Sequence, residues 1–305
     1  MMFRHLLVPL DGSHLAEAAL PFAISLAHLL QAPVTLVHVI ERHAPKEVHG
    51  EHHLTDSEEA RLYLEEVAAR FPPDIHVESH VHTSEVSDVA RSIVEHVGEL
   101  QSDLIVMCTH GRGRLRSWLF GSIAQQVLSL GTSPVLLVQP DQAGIAPPFR
   151  CRRLLIPLDG DPEHEQGLPV AASLAHVCQA ALHLVMVIPT RGTLSGERAS
   201  TARLLPSTMS ALLDMTQQGA EEYLHWHVKH LQDEGLPVTA SVRRGAPAVV
   251  IAQTTQEAET DLIVLGTHGK TGMDAFWSGS VTPQIFSRTR LPLLLVRVHQ
   301  SELQP

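Results

Sequence analysis

Cysteine is scarce in this chain. Cys108, Cys151 and Cys178 show no paired spacing and no CxxC, which speaks against a disulfide framework and suits a reducing compartment. Positive charge is also short, with 22 Lys and Arg against 33 Asp and Glu and a net charge of −11. That balance argues against non-specific nucleic-acid binding and against attraction to an anionic membrane surface. The basic clusters, Arg112/Arg114/Arg116 and Arg243-Arg244, are local, and a phosphate-bearing small molecule would explain the first. No apolar run approaches the roughly 18 residues of a membrane span. Met1-Met2-Phe3-Arg4-His5 runs straight into a strand-like segment with no signal-peptide pattern. The expectation is a cytoplasmic protein.

The 305 residues, 44% hydrophobic and 18% charged, suit two soluble domains of about 150 residues. They also repeat. Arg4-His5-Leu6-Leu7-Val8-Pro9-Leu10-Asp11-Gly12 answers to Arg152-Arg153-Leu154-Leu155-Ile156-Pro157-Leu158-Asp159-Gly160. Leu20-Pro21 and Ser25-Leu26-Ala27-His28 answer to Leu168-Pro169 and Ser173-Leu174-Ala175-His176. Asp103 and Asp261 stand about ten residues further apart than these pairs, placing an insertion in the polar stretch after Pro189.

Apolar runs and helical spacing alternate in each half. In the first, His5–Leu10, Val34–Ile40, His76–His82 and Pro134–Val138 read as strands. Residues 14–30, Thr55 to about Arg70, Glu85–Val97 and Ser122–Leu130 read as helices, the second opened by a Thr55/Glu58 capping box. Residues 41–53 read as an exposed loop. The second half adds a long helix from about Ser210 to Glu234, with Ala220, Leu224, Val228 and Leu231 on one face, and ends in the strand Pro292–Val298. Alternation of this kind implies an α/β fold: two tandem domains, each a five-stranded parallel sheet of order 3-2-1-4-5 with helices on both faces. The domains run 1–140 and 151–305, with residues 141–150 as linker.

The chemistry is concentrated in one repeated stretch. Residues 261–280 read DLIVLGTHGKTGMDAFWSGS and residues 103–122 read DLIVMCTHGRGRLRSWLFGS. Each follows an apolar strand with glycines, then nine residues, then Gly-Ser opening a helix. Glycine admits main-chain amides where a Cβ would collide, and a helix start offers unpaired N–H groups to an anion. Asp11 and Asp159 end the first strands on the same rim of the sheet, where a doubly wound sheet opens its crevice.

The spacing Gly, two residues, Gly, nine residues, Gly-Ser resembles the nucleotide loop of the universal stress protein family. Val8-Pro9-Leu10-Asp11-Gly12-Ser13 and Pro134-Val135-Leu136-Leu137-Val138 are similar to that family too. The resemblance implies flavodoxin-like (Rossmann-like, adenine nucleotide alpha hydrolase-like) domains. It also implies ATP or AMP as ligand and a nucleotide-responsive stress regulator with at most slow hydrolysis. It places phosphates at Gly269, Gly279 and Ser280, the ribose at Gly266 and the nucleoside at Asp159, with the main chain at Val187 meeting adenine. Asp11, Val39, Gly111, Gly121 and Ser122 are the first-half counterparts. Cys108 stands where the second half has Gly266, so the second site is expected to be the better one. Asp161 adds negative charge near the phosphates, which magnesium could offset. The family's terminal strands pair domain to domain, which makes the halves a pseudo-dimer and allows a homodimer of chains.

Other readings stay open. His110 and His268 sit inside the loops without a sequence-local carboxylate or nucleophile, so a packing or hydrogen-bonding role is expected and no catalytic residue is assigned. The 21 histidines, among them His49/His52/His53, His76/His80/His82 and His225/His227/His230, leave room for a metal-binding variant, although no cysteine joins them. A structural or interaction module that holds no nucleotide is the rival of another class. HIGH-like and SGGxDS-like signatures of nucleotidyltransferases and ATP pyrophosphatases are lacking, and a flavin carrier is the weakest alternative.

Overall fold

The computed structural model describes residues 3–44, 47–48, 51–109, 122–141, 144–194, 200, 204–268 and 281–298. In the first half, β1 (Leu6–Pro9), β2 (Val34–Glu41), β5 (Val77–Val86), β6 (Leu104–Cys108) and β7 (Val135–Val138) form parallel pairs. In the second, β8 (Arg153–Leu158), β9 (Ala181–Ile188), β10 (Val238–Arg244), β11 (Leu262–His268) and β12 (Leu293–Val298) do the same. The ten join in one sheet, β10-β9-β8-β11-β12-β7-β6-β1-β2-β5. In each half, then, the third strand is outermost and the fifth innermost. The halves meet where β12 pairs antiparallel with β7, Leu294 opposite Leu136. Edge strands with unmet backbone groups recruit a partner; here each fifth strand recruits the other.

One apolar core runs through both halves, with Leu6, Leu104 and Leu136 joined to Leu154, Leu262 and Leu294. The expected linker is partly built into it. Phe149 packs edge-on against Phe22 at a centroid distance of 5.5 Å. Arg297 of β12 donates to the Ser129 carbonyl (3.2 Å) and the Gly131 carbonyl, satisfying the end of α5 (Ser122–Leu130) across the junction.

Local chemistry redraws several predicted bounds. The expected helix over 14–30 breaks into α1 (His14–Glu17) and α2 (Leu20–Leu30). Pro21 has no N–H to give and its ring excludes the carbonyl four residues earlier, so Ala18 and Ala19 close shorter turns onto Leu15 and Ala16. The Thr55 capping box does not form. Asp56 caps α3 (Ser57–Ala68), accepting from the amides of Glu58 and Glu59 at 2.9 and 3.0 Å, because a carboxylate next to the first turn outcompetes a hydroxyl one residue earlier. Likewise Asp88 caps α4 (Val89–Glu99), so the strand before it runs on to Val86. The loop after β2 contains a short antiparallel pair, β3 (Glu47–Val48) and β4 (Glu51–His52).

The remaining elements are a 3-10 turn at Pro162–Gln166, α6 (Gly167–Cys178), α7 (Pro206–Asp233), α8 (Pro247–Glu257) and α9 (Val281–Phe286). α7 is 28 residues long against 12 for its first-half counterpart α3. It buries Met209, Leu213, Ala220, Leu224 and Leu231 and stops before Gly235, whose φ of +86° suits glycine.

Candidate functional site

Asp103 and Asp261, the aspartates that open the repeated stretches, work away from the loops. Asp103 accepts from the backbone N–H groups of Arg4 and His5 at 2.9 and 3.0 Å. Asp261 accepts from those of Arg152 and Arg153 at 2.9 and 3.2 Å. Each ties the entry of the first strand to that of the fourth, and so sets the register between the two strands whose far ends form the crevice.

At that far end of the first half, Asp11 shapes the turn. Its Oδ1 accepts from the Ser13 amide (2.9 Å) and hydroxyl (2.6 Å), and Ser13 Oγ accepts from the Ala16 amide at 3.2 Å. Gly12 sits at φ +89°, and a Cβ there would come within 2.8 Å of Leu54. Leu54 belongs to a strap, residues 51–54, that folds over this rim. Glu51 accepts from the His14 amide at 2.7 Å. The buried His38 of β2 reaches the Leu10 carbonyl through Nδ1 (2.8 Å) and the Leu54 carbonyl through Nε2 (3.1 Å). Ile40, Leu54 and Ala60 form an apolar cluster beneath it. His53 is buried beside them with no partner for Nδ1, and burial holds its pKa down against the opposing pull of Glu41.

Val39 is buried, and the ladder from β2 to β5 shifts register between Val39 and Glu41. On the fourth strand Cys108 is buried in register with Val138, and burial pushes its thiol up to about 12, so it is an inert core residue. His110, Gly111 and Gly121 lie outside the described residues; Ser122 is the exposed first residue of α5.

The second rim is built differently. Gly160 is at φ +81°, but the group over it is Met186, the counterpart of His38. Asp159 accepts from the Asp161 amide at 3.0 Å, and its other oxygen meets His164 Nδ1 at 2.6 Å. His164 Nε2 lies 3.8 Å from Asp161, so one imidazole stands between the two carboxylates. Val187 pairs with Arg243 and is partly buried against the core.

Gly266 does not follow the strand. It lies inside β11, in register with Val296, because hydrogen bonding to β12 continues through Thr267 to His268. The N-terminus of α6 abuts it: a Cβ on Gly167 would sit 3.2 Å from the Gly266 nitrogen. The matching first-half residues are Ala19 and Cys108, so the glycine pair lets helix and strand approach more closely. Gly269, Gly279 and Ser280 lie outside the described residues, as does the His268 side chain.

A second duplicated contact escaped the sequence reading. The chain has two tyrosines. Tyr63 donates to Glu17 at 3.1 Å and Tyr223 donates to Glu165 at 2.7 Å. Burial first, and the adjacent carboxylate next, push both phenols above their usual range. Each pair staples the turn after the first strand to the helix after the second. Arg70 also pairs with Glu17 at 2.6 Å, whereas Glu165 has His227 at 3.5 Å. The signal was available: one Glu and one Tyr recur in both halves.

Of the described histidines, His80 and His82 both pack on His96, at ring-centroid distances of 4.7 and 5.0 Å. His80 Nε2 meets Nε2 of the buried His96 at 2.9 Å, while His96 Nδ1 donates to the Ser92 carbonyl at 2.7 Å. His76 pairs with Glu78 and His230 with Glu234. Among the described residues no three His, Cys, Asp or Glu side chains converge as a metal site, and no helix is long and apolar enough to cross a membrane.

The model of the Universal stress protein family matches twice, over residues 2–139 and 150–297. A universal stress protein of Mycolicibacterium smegmatis is 28% identical over 306 residues, covering 96% of each chain. The universal stress protein E homolog of Haemophilus influenzae is 26% identical over 331 residues, covering 97% of this chain and 98% of that protein. Among solved structures, a universal stress protein from Archaeoglobus fulgidus superposes with a TM-score of 0.71 at 18% identity, over 97% of this chain and 98% of that one. Its likeness concerns the fold. With the family unit matched in both halves, this chain belongs to the universal stress protein family and is of its tandem form.

Proposed function

We propose that this protein binds an adenine nucleotide, ATP or AMP, on the rim of its second half and acts as a nucleotide-responsive stress regulator. The observation that carries the reading is what lies over the glycine after each first strand: Leu54 over Gly12, and the Met186 side chain of a neighbouring strand over Gly160. The first rim is covered by residues 51–54 of the chain itself, and the second has no such strap among its described residues. In this reading Gly269, Gly279 and Ser280 hold the phosphates, Gly266 admits the ribose, Asp159 fixes the nucleoside and the main chain at Val187 meets adenine. Asp11, Val39, Gly111, Gly121 and Ser122 form the corresponding first-half set, closed at rest.

His164 is the addition that the geometry makes. An imidazole bound to Asp159 through Nδ1 holds that carboxylate in place, and in its protonated form it lowers the repulsion between Asp159, Asp161 and a phosphate tail. Magnesium would serve the same end from the phosphate side. Turnover is at most slow, the working unit is cytoplasmic, and the folding units are residues 1–140 and 151–305. Titration calorimetry of Mg-ATP and AMP against the parent chain and Gly269→Val tests the reading. It predicts binding that this substitution removes, with a rise in melting temperature for the parent alone.

A further inference from the structure

We propose that two copies of this chain associate through the outward face of α7, packed antiparallel across Gly219. This surface lies apart from the nucleotide rim, and neither proposal depends on the other.

The outward face has the spacing of a helix–helix seam. Leu205, Leu212, Gly219 and Trp226 recur every seven residues, and Met215 follows Leu212 by three. Their exposure is far above what apolar residues of this size normally show in a helix packed on a sheet: Leu205 54%, Leu212 52%, Met215 72% and Trp226 62%. A different face of α7 is already buried on the sheet through Leu213, Ala220, Leu224 and Leu231; of the exposed residues, Trp226 stacks on His230 at a centroid distance of 5.5 Å and meets His227 edge-on at 4.8 Å, which leaves its other ring face open.

The first half is an internal control. With the halves matched on Tyr63 and Tyr223, Gly219 and Trp226 fall where α3 carries Glu59 and Glu66. The outer side of α3 is held by Arg61 between Glu58 and Glu65, an ordinary solvated face apart from Leu62. Leu212 and Met215 belong to the part of α7 that α3 lacks, and Leu205 caps its start.

The occupant follows from the symmetry of the seam. Leu212 and Trp226 each stand seven residues from Gly219. An antiparallel copy therefore sets Leu212 against Trp226 twice, with the two glycines at the centre. Glycine weakens a helix interior, and apart from its chain neighbours and the helix's own backbone no described atom lies within 4 Å of the position a Cβ would take at Gly219. Among the described residues nothing calls for glycine there, whereas close approach of a second backbone does. A parallel pair would stack Glu222 on Glu222; the antiparallel one faces it with Thr216. Leu212, Met215 and Trp226 expose on the order of 400 Å² per copy, so two copies reach the roughly 1,000 Å² of a specific interface once flanking residues are added.

Sedimentation equilibrium of the intact chain tests this, alongside the variant Met215→Glu/Trp226→Glu. A dimer is expected for the parent at about 50 μM, with association at least ~100-fold weaker in the variant and an unchanged circular-dichroism melt. A parent that stays monomeric at that concentration, or a dimer that survives both substitutions, overturns the proposal. Should the variant fold poorly, cysteines give a second readout in a Cys178→Ser background. Leu212→Cys mixed with Trp226→Cys should cross-link between chains under mild oxidation. Cross-linking of Leu212→Cys with itself but not with Trp226→Cys would contradict the antiparallel register. So would a shielded parent seam, seen as slow labelling of Trp226→Cys in the monomer.

Discussion

Leu54→Ala is the perturbation that separates the two rims. Leu54 is 6% exposed and lies on Gly12, and its carbonyl meets His38. The substitution keeps the carbonyl and removes three carbons from the apolar contact. At ~0.8 kcal/mol per methylene this is about 2 kcal/mol, trimmed because the cluster with Ile40 and Ala60 is small and borders solvent. The same energy is roughly a 30-fold increase in the open-to-closed ratio of the strap. Since Leu54 lies in a satellite cluster rather than the main core, the loss should appear as local opening with little change in global stability. Native-state hydrogen exchange reads it directly. The amide of His14, held by Glu51, should exchange roughly 30-fold faster, while amides of β1 and β6 keep their protection. If the first rim is a nucleotide site kept shut by the strap, calorimetry should then find a second binding event. Unchanged exchange at His14 would refute the strap. Faster exchange without a second event would spare the strap and refute the closed site.

Three further outcomes follow from the contacts described. Tyr223→Phe should cost about 2 kcal/mol in urea unfolding and Tyr63→Phe about 1, because Glu17 keeps Arg70 whereas Glu165 is left with a histidine disfavoured as a cation by burial; equal costs would contradict this. Burial lowers the pKa of His53, His80, His183 and His227. The unfolded chain therefore takes up protons first as pH falls below about 6.5, so stability is fully present above that pH and declines beneath it. Urea midpoints at pH 7.5 and 5.5 check the sign, and the decline should be shallower in His80→Gln. Asp103→Ala and Asp261→Ala each strip the acceptor from two strand-entry amides and should each cost about 1–2 kcal/mol by the same assay.

Much of this architecture was legible because periodicity and duplication report burial. Two-sided apolar runs such as Leu262–Leu265 are what a parallel sheet between helix layers requires, and Ser122–Leu130 formed a helix with the predicted bounds. The failures were local competitions that a pattern of apolar residues does not register. Asp56 displaced Thr55 as a cap, Pro21 split a helix, and backbone pairing with β12 drew Gly266 into the strand. At the rim, Asp11 and Asp159 were recognisable as paired positions, but their partners were not. His164 reaches Asp159 through a 3-10 turn, and the cover over Gly12 comes from a polar segment that reads as loop. Side-chain reach across such turns is set by tertiary packing, which spacing along the chain does not encode.

The central claim is tested most directly by calorimetric titration of Mg-ATP into the parent chain, Gly269→Val and Gly111→Val. One equivalent per parent chain is predicted, abolished by Gly269→Val and untouched by Gly111→Val. No heat from the parent at millimolar nucleotide, or binding lost in Gly111→Val and kept in Gly269→Val, would contradict the account.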